Sequence, residues 1–145
     1  MEDLAQLAYS VDTLYFLLMG VLVMFMAPGF AMLEAGMVRA KNTSEILTKN
    51  VALFAIASIM YLLCGYAIMY PGAGEGAWLP IIGGLIGDEN TTQAVLDSGG
   101  DTYYSARSDF FFQVVFVATA MSIVSGAVAE RMKLWAFLAF AVVMT

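Results

Sequence analysis

The chain has 145 residues, of which 61% are hydrophobic and 12% are charged, and its mean hydropathy is +0.82. Soluble domains carry about 25% charged residues, so this composition excludes an ordinary soluble domain and predicts an integral membrane protein. The net charge of −6 argues against a nucleic-acid partner, because there is no basic surface for phosphate groups. The absence of histidine removes the commonest general base and metal ligand.

Three uncharged runs are long enough to cross a bilayer as helices: residues 14–33, 51–70 and 110–129. About 20 residues at ~1.5 Å each span the ~30 Å of hydrocarbon. Transmembrane strands would alternate between two faces over roughly 10 residues, and these runs are too long and too uniform for that. We therefore predict an all-α membrane protein with helices at about residues 13–38, 50–70 and 109–130.

A fourth apolar run covers residues 134–145 and is too short to cross the membrane. A helix that ended within hydrocarbon would leave its last carbonyl groups unpaired. We therefore expect residues 134–145 to be the truncated start of a fourth helix, and the chain to be a partial domain from a longer protein.

The positive charges predict the orientation in the membrane. Five of the six Lys and Arg residues lie in two short connections: Arg39, Lys41, Lys49, Arg131 and Lys133. Acidic residues dominate the other side, where Arg107 is alone. By the positive-inside bias, residues 39–49 and 131–133 are cytoplasmic. The N-terminus and the Gly- and Asp-rich loop over residues 71–108 are then extracytoplasmic, at the cell membrane.

The third run has two distinct faces at about 100° per residue. One face carries the stripe of Phe112, Phe116, Thr119 and Ile123. A second face carries the small residues Ala118, Ser122, Ser125 and Ala129. Small residues let helices approach closely in lipid, and Ser can hydrogen-bond across the contact. The phenylalanines face either lipid or a pore, where ring faces attract a cation, and periodicity leaves both readings open.

Four polar residues lie near the predicted helix ends. Glu34 is either a helix-terminal charge at the inner interface or a pore-facing group. Glu130 and Arg131 are expected to fix a cytoplasmic helix end through local ion pairs. Gln113 is expected to hydrogen-bond between helices ahead of any contact with substrate.

Three segments together resemble the ammonium transporter family, the Amt/Mep/Rh group: "APGFAMLEAGMVRAKN" (27–42), "GYAIMYPG" (65–72) and "FFQVVFVATAMSIVSGAVAERMKL" (111–134). They come in the family's order and spacing. The resemblance implies a fold of eleven transmembrane helices in two inverted halves, with an extracytoplasmic N-terminus. It also implies a trimer with a pore through each subunit. This chain would supply the first three helices and the start of the fourth.

The resemblance also assigns roles to individual residues. Phe112 and Phe116 match the substrate-binding aromatic residues at the outer vestibule, where ammonium is recruited and a phenyl ring gates the pore. The pore-lining positions are matched by Phe30, Leu33, Glu34 and Ile123. The family's paired pore histidines have no counterpart in this chain, which contains no histidine.

The resemblance therefore implies channel-like transport of ammonium or ammonia, by a protein of which this chain alone would not conduct. No cluster of nucleophile, base and acid indicates an enzyme, and we expect no cofactor and no metal. The expected partners are the substrate, the lipid bilayer, further copies in a homotrimer and a possible cytoplasmic regulatory protein. The alternative function is an ammonium-sensing input domain of a larger signalling protein.

Overall fold

A computed structural model describes residues 2–70, 86, 91–98 and 103–145, and these residues form helices and turns without strands. The α-helices are α1 (Glu2–Met24), α2 (Met26–Met37), α3 (Thr43–Met60), α4 (Tyr66–Met69), α5 (Thr92–Asp97), α6 (Ala106–Ala127) and α7 (Leu134–Met144). A 3₁₀ turn at Ala40–Asn42 precedes α3, and a π-helical turn at Tyr61–Gly65 joins α3 to α4.

The first span consists of α1 and α2, which meet at Phe25. Hydrogen bonds continue through this point, because Phe25 N donates to the carbonyl of Val21 and Gly29 N donates to that of Phe25, both at 3.2 Å. Pro28 has no N–H and cannot donate to the carbonyl of Met24. The interruption between α1 and α2 therefore follows from one proline within an otherwise continuous helix.

This first helix begins at Glu2, well before the predicted start near residue 13. The prediction placed the start after Asp12, because a charge ends a membrane-buried run. A charge does not end a helix, however, and no Gly or Pro interrupts residues 2–19. Asp3 is exposed and Asp12 is half-exposed, so α1 continues beyond the part that hydrocarbon would cover.

The second span also begins earlier than predicted, at Ala40–Asn42 and Thr43 rather than near residue 50. The sequence predicts Lys49 in a cytoplasmic connection, but Lys49 and Asn50 are both buried inside α3. Charged residues are tolerated within a membrane-length helix where they are paired in the protein interior. The structure therefore differs from the predicted boundary because Lys49 is a charge with buried partners.

The third span, α6, covers Ala106–Ala127, against a predicted helix at about residues 109–130. It ends in a turn in which Arg131 N donates to the carbonyl of Val128 at 3.0 Å. The predicted loop over residues 71–108 contains the short helix α5, capped where Thr91 Oγ1 accepts a hydrogen bond from Ala94 N at 3.2 Å. Residues 71–85, 87–90 and 99–102 lie outside the described residues. The fourth helix, α7, covers Leu134–Met144.

Helix α6 is the centre of the bundle and packs against α1, α2 and α3, while α7 packs against α3. Three of the four residues in its predicted small stripe are buried, with Ala118 and Ser125 0% exposed and Ser122 2% exposed. The fourth, Ala129, is half-buried and lies beyond the end of α6. The core cluster around this stripe consists of Leu53, Ala57, Ala118, Met121, Phe137 and Ala141. The prediction that small residues bring these helices into close contact is confirmed.

Within the described part of the chain, three helical stretches are long and apolar enough to cross a membrane: Asp3–Met37, Ala40–Met69 and Ala106–Ala127. The predicted class of an all-α membrane protein is confirmed. In its most apolar window, the first span is only 6% buried, whereas the third is 39% buried. The first span therefore lies at the periphery of this bundle, with most of its apolar surface uncovered.

Candidate functional site

The two predicted substrate-binding residues lie one turn apart on α6 and contact each other. The ring centroids of Phe112 and Phe116 are 5.0 Å apart at an interplanar angle of 69°. Phe16 of α1 meets Phe112 edge-on, with centroids 5.5 Å apart. Aromatic pairs favour such edge-to-face contacts. Phe116 is 43% exposed, so one ring of the pair is held in place and remains accessible.

Three further rings join this pair, and sequence reasoning missed them. Phe16 is 4.5 Å from Tyr104 between centroids, and Tyr103 is 5.0 Å from Tyr104. We call the five residues together the aromatic cluster: Phe16, Tyr103, Tyr104, Phe112 and Phe116. Phe16 is remote in the sequence, and the tyrosines fall inside the predicted loop, so only the fold brings them to α6.

A cavity of about 420 Å³ opens beside the aromatic cluster. It is lined by Phe112 and by side chains of the first span that include Tyr15, Phe16 and Met19. The lining is mostly apolar and aromatic, which suits a path that excludes bulk water. The cluster therefore stands at the edge of a space large enough for several small molecules.

The predicted pore-lining residues fall into two groups. Leu33 and Ile123 are both 55% exposed, and Phe30 is half-exposed. These apolar side chains lie on uncovered faces of α2 and α6, two helices that pack against each other. Glu34 is different, because it is 4% exposed and lies inside the bundle.

Glu34 is the acceptor at the centre of a buried polar network between α2, α3 and α6. Its Oε2 accepts hydrogen bonds from Asn50 Nδ2 at 3.1 Å and from Ser125 Oγ at 3.0 Å. Both donors are themselves buried. The predicted hydrogen bond from a small-stripe serine across a helix contact is thus made by Ser125, whereas Ser122 donates to the carbonyl of Ala118 in its own helix.

Lys49 supplies the positive charge of this network. Its Nζ is 3.7 Å from Glu34 Oε2 and donates to the carbonyl of Ser125 at 3.0 Å. The same atom lies 5.1 Å from the centre of the Phe137 ring, within cation–π range. The network therefore joins α2, α3, α6 and α7 through one ion pair with almost no solvent contact.

A second ion pair joins the turn after α6 to the turn that follows the first span. Arg39 Nε is 3.1 Å from Glu130 Oε2, and the backbone N of Arg39 donates to Glu130 Oε1 at 3.0 Å. Asn42 Nδ2 also donates to Glu130 Oε1, at 2.7 Å. The backbone N–H of Arg39, the Asn42 amide and the Arg39 guanidinium lower the pKa of Glu130 to about 2. Glu130 is expected from the sequence to pair locally at the helix end, but it pairs instead with Arg39 and Asn42, which are remote in the sequence.

At the opposite end of α6, a buried carboxylate that sequence reasoning missed is bonded to the second span. Asp109 is 3% exposed, and Tyr66 Oη donates to its Oδ2 at 3.4 Å. Gln113 Nε2 lies 3.5 Å from Tyr70 Oη and from Asp109 Oδ1. Gln113 thus approaches the second span at Tyr70, in line with the expected contact between helices. Asp109 could have been found in the sequence because it lies one helical turn before Gln113.

The sequence profile of the Ammonium Transporter Family matches residues 14–145. The chain is 42% identical over 93% of its length to ammonium transporter Amt2 of Archaeoglobus fulgidus, of which it covers 26%. It is 39% identical over 97% of its length to ammonium transporter Amt2 of Haloferax mediterranei, of which it covers 29%. No solved structure shows a significant match.

These matches and the membrane-length helices define a multi-pass membrane protein. The chain belongs to the ammonium transporter family. It spans less than a third of the length of the two relatives named above.

Proposed function

We propose that the protein carrying this chain transports ammonium or ammonia across the cell membrane. The observation that carries the proposal is the family match over residues 14–145, and both named relatives are called ammonium transporters. The aromatic cluster supports it, because it provides a cation-attracting surface beside an apolar cavity.

The proposed mechanism follows from the cost of moving a charge through an apolar path. Carrying a bare cation into hydrocarbon costs many kcal/mol, whereas a ring face contributes about 0.5–2 kcal/mol. Phe112 and Phe116 would therefore recruit and orient ammonium without dehydrating it fully. Transfer of the ammonium proton to water outside the apolar section would leave neutral ammonia, which crosses that section more easily than potassium or sodium.

We assign the lining of that apolar section to Phe30, Leu33 and Ile123, whose uncovered apolar faces suit it. The resemblance gives the same role to Glu34, and this stays a prediction. The buried contacts of Glu34 with Lys49, Asn50 and Ser125 support an anchoring role instead.

The function is tested with the full-length protein in cells that lack their own ammonium transporters, grown at limiting ammonium. Phe116→Leu keeps apolar bulk but removes the ring face, so we expect apparent affinity to fall about 2- to 30-fold. Phe110→Leu is the matched control, since Phe110 lies on the same helix but stacks on Tyr61 at 5.7 Å. Equal effects of the two substitutions would contradict the role of Phe116, and no rescue by the full-length protein would contradict transport.

The orientation with an extracytoplasmic N-terminus is proposed from the positive charges that remain in the connections. Lys49 lies inside α3 and is left out of the charge count of the connections. The proposed cytoplasmic side still has four positive residues, Arg39, Lys41, Arg131 and Lys133, against Arg107 on the other side. In a Cys64→Ala background, a cysteine at Ser98 should react with an impermeant thiol reagent added to intact cells. A cysteine at the exposed Ser44 should not react, and the opposite labelling pattern would reverse the orientation.

Assembly and regulation are proposed from the resemblance alone: a homotrimer, and contact with a cytoplasmic regulatory protein. The sensing alternative gains no support from the names of the two relatives given above. Growth rescue at limiting ammonium distinguishes it, because a sensor would not restore uptake.

A further inference from the structure

Two buried oxygen atoms of the polar network have no hydrogen-bond donor among the described residues: Glu34 Oε1 and Asn50 Oδ1. Glu34 is 4% exposed and Asn50 is 7% exposed, so bulk water does not reach either group freely. Buried polar atoms in folded proteins nearly always have a protein or water partner, because an unpaired one destabilises the fold. These two acceptors therefore require a donor.

The two unpaired atoms belong to groups that are joined by one hydrogen bond. Asn50 Nδ2 donates to Glu34 Oε2 at 3.1 Å, so the amide and the carboxylate face each other. Ser125 Oγ also donates to Oε2, so Oε1 of the same carboxylate receives no hydrogen bond. Glu34 Oε1 also faces α6, since a Cβ atom at Gly126 would lie 3.7 Å from it. The two remaining oxygen atoms therefore belong to side chains at one contact of α2, α3 and α6.

The charges of the polar network determine whether the missing hydrogen-bond donor can be a cation or must be neutral. The Glu34 carboxylate and the Lys49 ammonium group, 3.7 Å apart, balance each other. An additional cation here would be buried without a counter-charge, which is strongly unfavourable. The donor that fits is therefore a neutral molecule with N–H or O–H bonds.

An apolar cavity lies beside Asn50. The residue lines a cavity of about 470 Å³ between the first span and α3. Among the described residues that line it, Asn50 carries the polar side chain, and neighbours such as Val51 and Phe54 are apolar. A small neutral molecule can reach the amide through such a space, and a hydrated ion would lose its water shell there.

We propose that Glu34 Oε1 and Asn50 Oδ1 form a binding site for one small neutral hydrogen-bond donor, water or ammonia. A water would complete the network and fix α2 against α3, as buried waters do between otherwise unpaired polar groups. Ammonia would occupy the same acceptors as a second position for the transported molecule, away from the aromatic cluster. The water form is independent of the proposed function, whereas the ammonia form rests on it.

The test is a pair of crystal structures of the full-length protein, grown with and without an ammonium salt, at a resolution that shows other internal waters. Density at hydrogen-bond distance from both atoms in both crystals identifies water, and density only with ammonium identifies ammonia. Absence from both crystals, or a side chain from elsewhere in the protein donating to these atoms, overturns the proposal. Transport is measured separately by growth rescue, so the two proposals fail independently.

Two variants sharpen the test. Asn50→Leu removes one of the two acceptors at similar size, and we expect the density to be lost. Ser125→Ala is the matched control, because it removes a donor to Glu34 Oε2 but leaves both acceptors, and we expect the density to remain. Density that persists in Asn50→Leu, or disappears from both variants alike, would overturn the assignment to these two atoms. If a variant does not fold, the pair of wild-type crystals decides.

Discussion

Lys49 shows, at the scale of single residues, how a charge is accommodated inside a membrane-length helix. Its ammonium group contacts the Glu34 carboxylate, the Ser125 carbonyl and the Phe137 ring, each on a different helix. Burying a charge is costly unless it is paired and hydrogen-bonded, and these contacts meet that condition. The partners are remote in the sequence, which is why sequence position alone assigned Lys49 to a connection.

Removing one member of this ion pair should therefore destabilise the full-length protein strongly. Lys49→Met leaves the Glu34 carboxylate without its counter-charge, and we expect a loss of about 3–5 kcal/mol in the free energy of unfolding. The exposed Lys41→Met should change it by less than about 0.5 kcal/mol. Denaturant unfolding in detergent measures both.

A double-mutant cycle then separates pairing from general damage. Glu34→Gln combined with Lys49→Met should cost about 1–3 kcal/mol less than the sum of the single variants, because neither charge is left alone. Additive losses would show that the two side chains do not interact, contrary to their 3.7 Å separation.

At the scale of helices, α6 depends on close approach to α1 as well as on its small stripe. A Cβ atom at Gly20 would lie 2.7 Å from Phe111 Cε1, closer than side chains tolerate. Phe111 adjoins Phe112, so the packing of α1 on α6 also positions the aromatic cluster. A single glycine therefore connects a helix contact with the candidate site.

Gly20→Ala should accordingly destabilise the protein by about 1–3 kcal/mol, the usual cost of overpacking. Gly29→Ala is the matched control, since its Cβ would meet nothing within 4 Å, and alanine is the better helix former by about 1 kcal/mol. Thermal unfolding should therefore show a lower Tm for the first variant and an unchanged or higher Tm for the second. A lower Tm for both would point to helix flexibility rather than to the contact with Phe111.

The contact of Glu130 with Arg39 and Asn42 should make the junction of the first and third spans dependent on pH. The pKa of Glu130 falls from 4.5 to about 2 in the folded protein. Because this pKa is lowered, the stabilisation is fully present above pH 4.5 and is lost as the pH falls through about 2. The difference in Tm between wild type and Glu130→Gln should therefore be constant down to about pH 4.5 and then shrink.

The exposed Glu45→Gln provides the comparison for simple loss of a charge. A wild-type advantage over Glu130→Gln that persists unchanged to pH 2 would contradict this account. Glu130 also has a positive φ of 60°, so Gln is used because it keeps the side-chain length at this unusual backbone position.

For the whole molecule, the sequence predicts what depends on local pattern. The length of the uncharged runs predicts three membrane spans, and the helical periodicity of small residues in α6 predicts which of its faces is buried. The misses depend on contacts across the sequence: the buried Lys49, the pairing of Glu130 with Arg39, and the approach of Phe16 to Phe112. Periodicity shows which face of a helix differs from the others. Which helix packs against that face is known only from the structure.

The polypeptide of residues 1–145, expressed by itself, should transport no ammonium. The most apolar window of its first span is only 6% buried, so this surface would meet lipid instead of forming a channel wall. The chain also lacks histidine, and with it the paired-imidazole site that the family resemblance implies. Growth at limiting ammonium in cells without their own transporters should equal that with empty vector, while the full-length protein rescues it. Rescue by residues 1–145, detected in the membrane fraction, would show that these helices form a conducting path alone and would contradict the prediction.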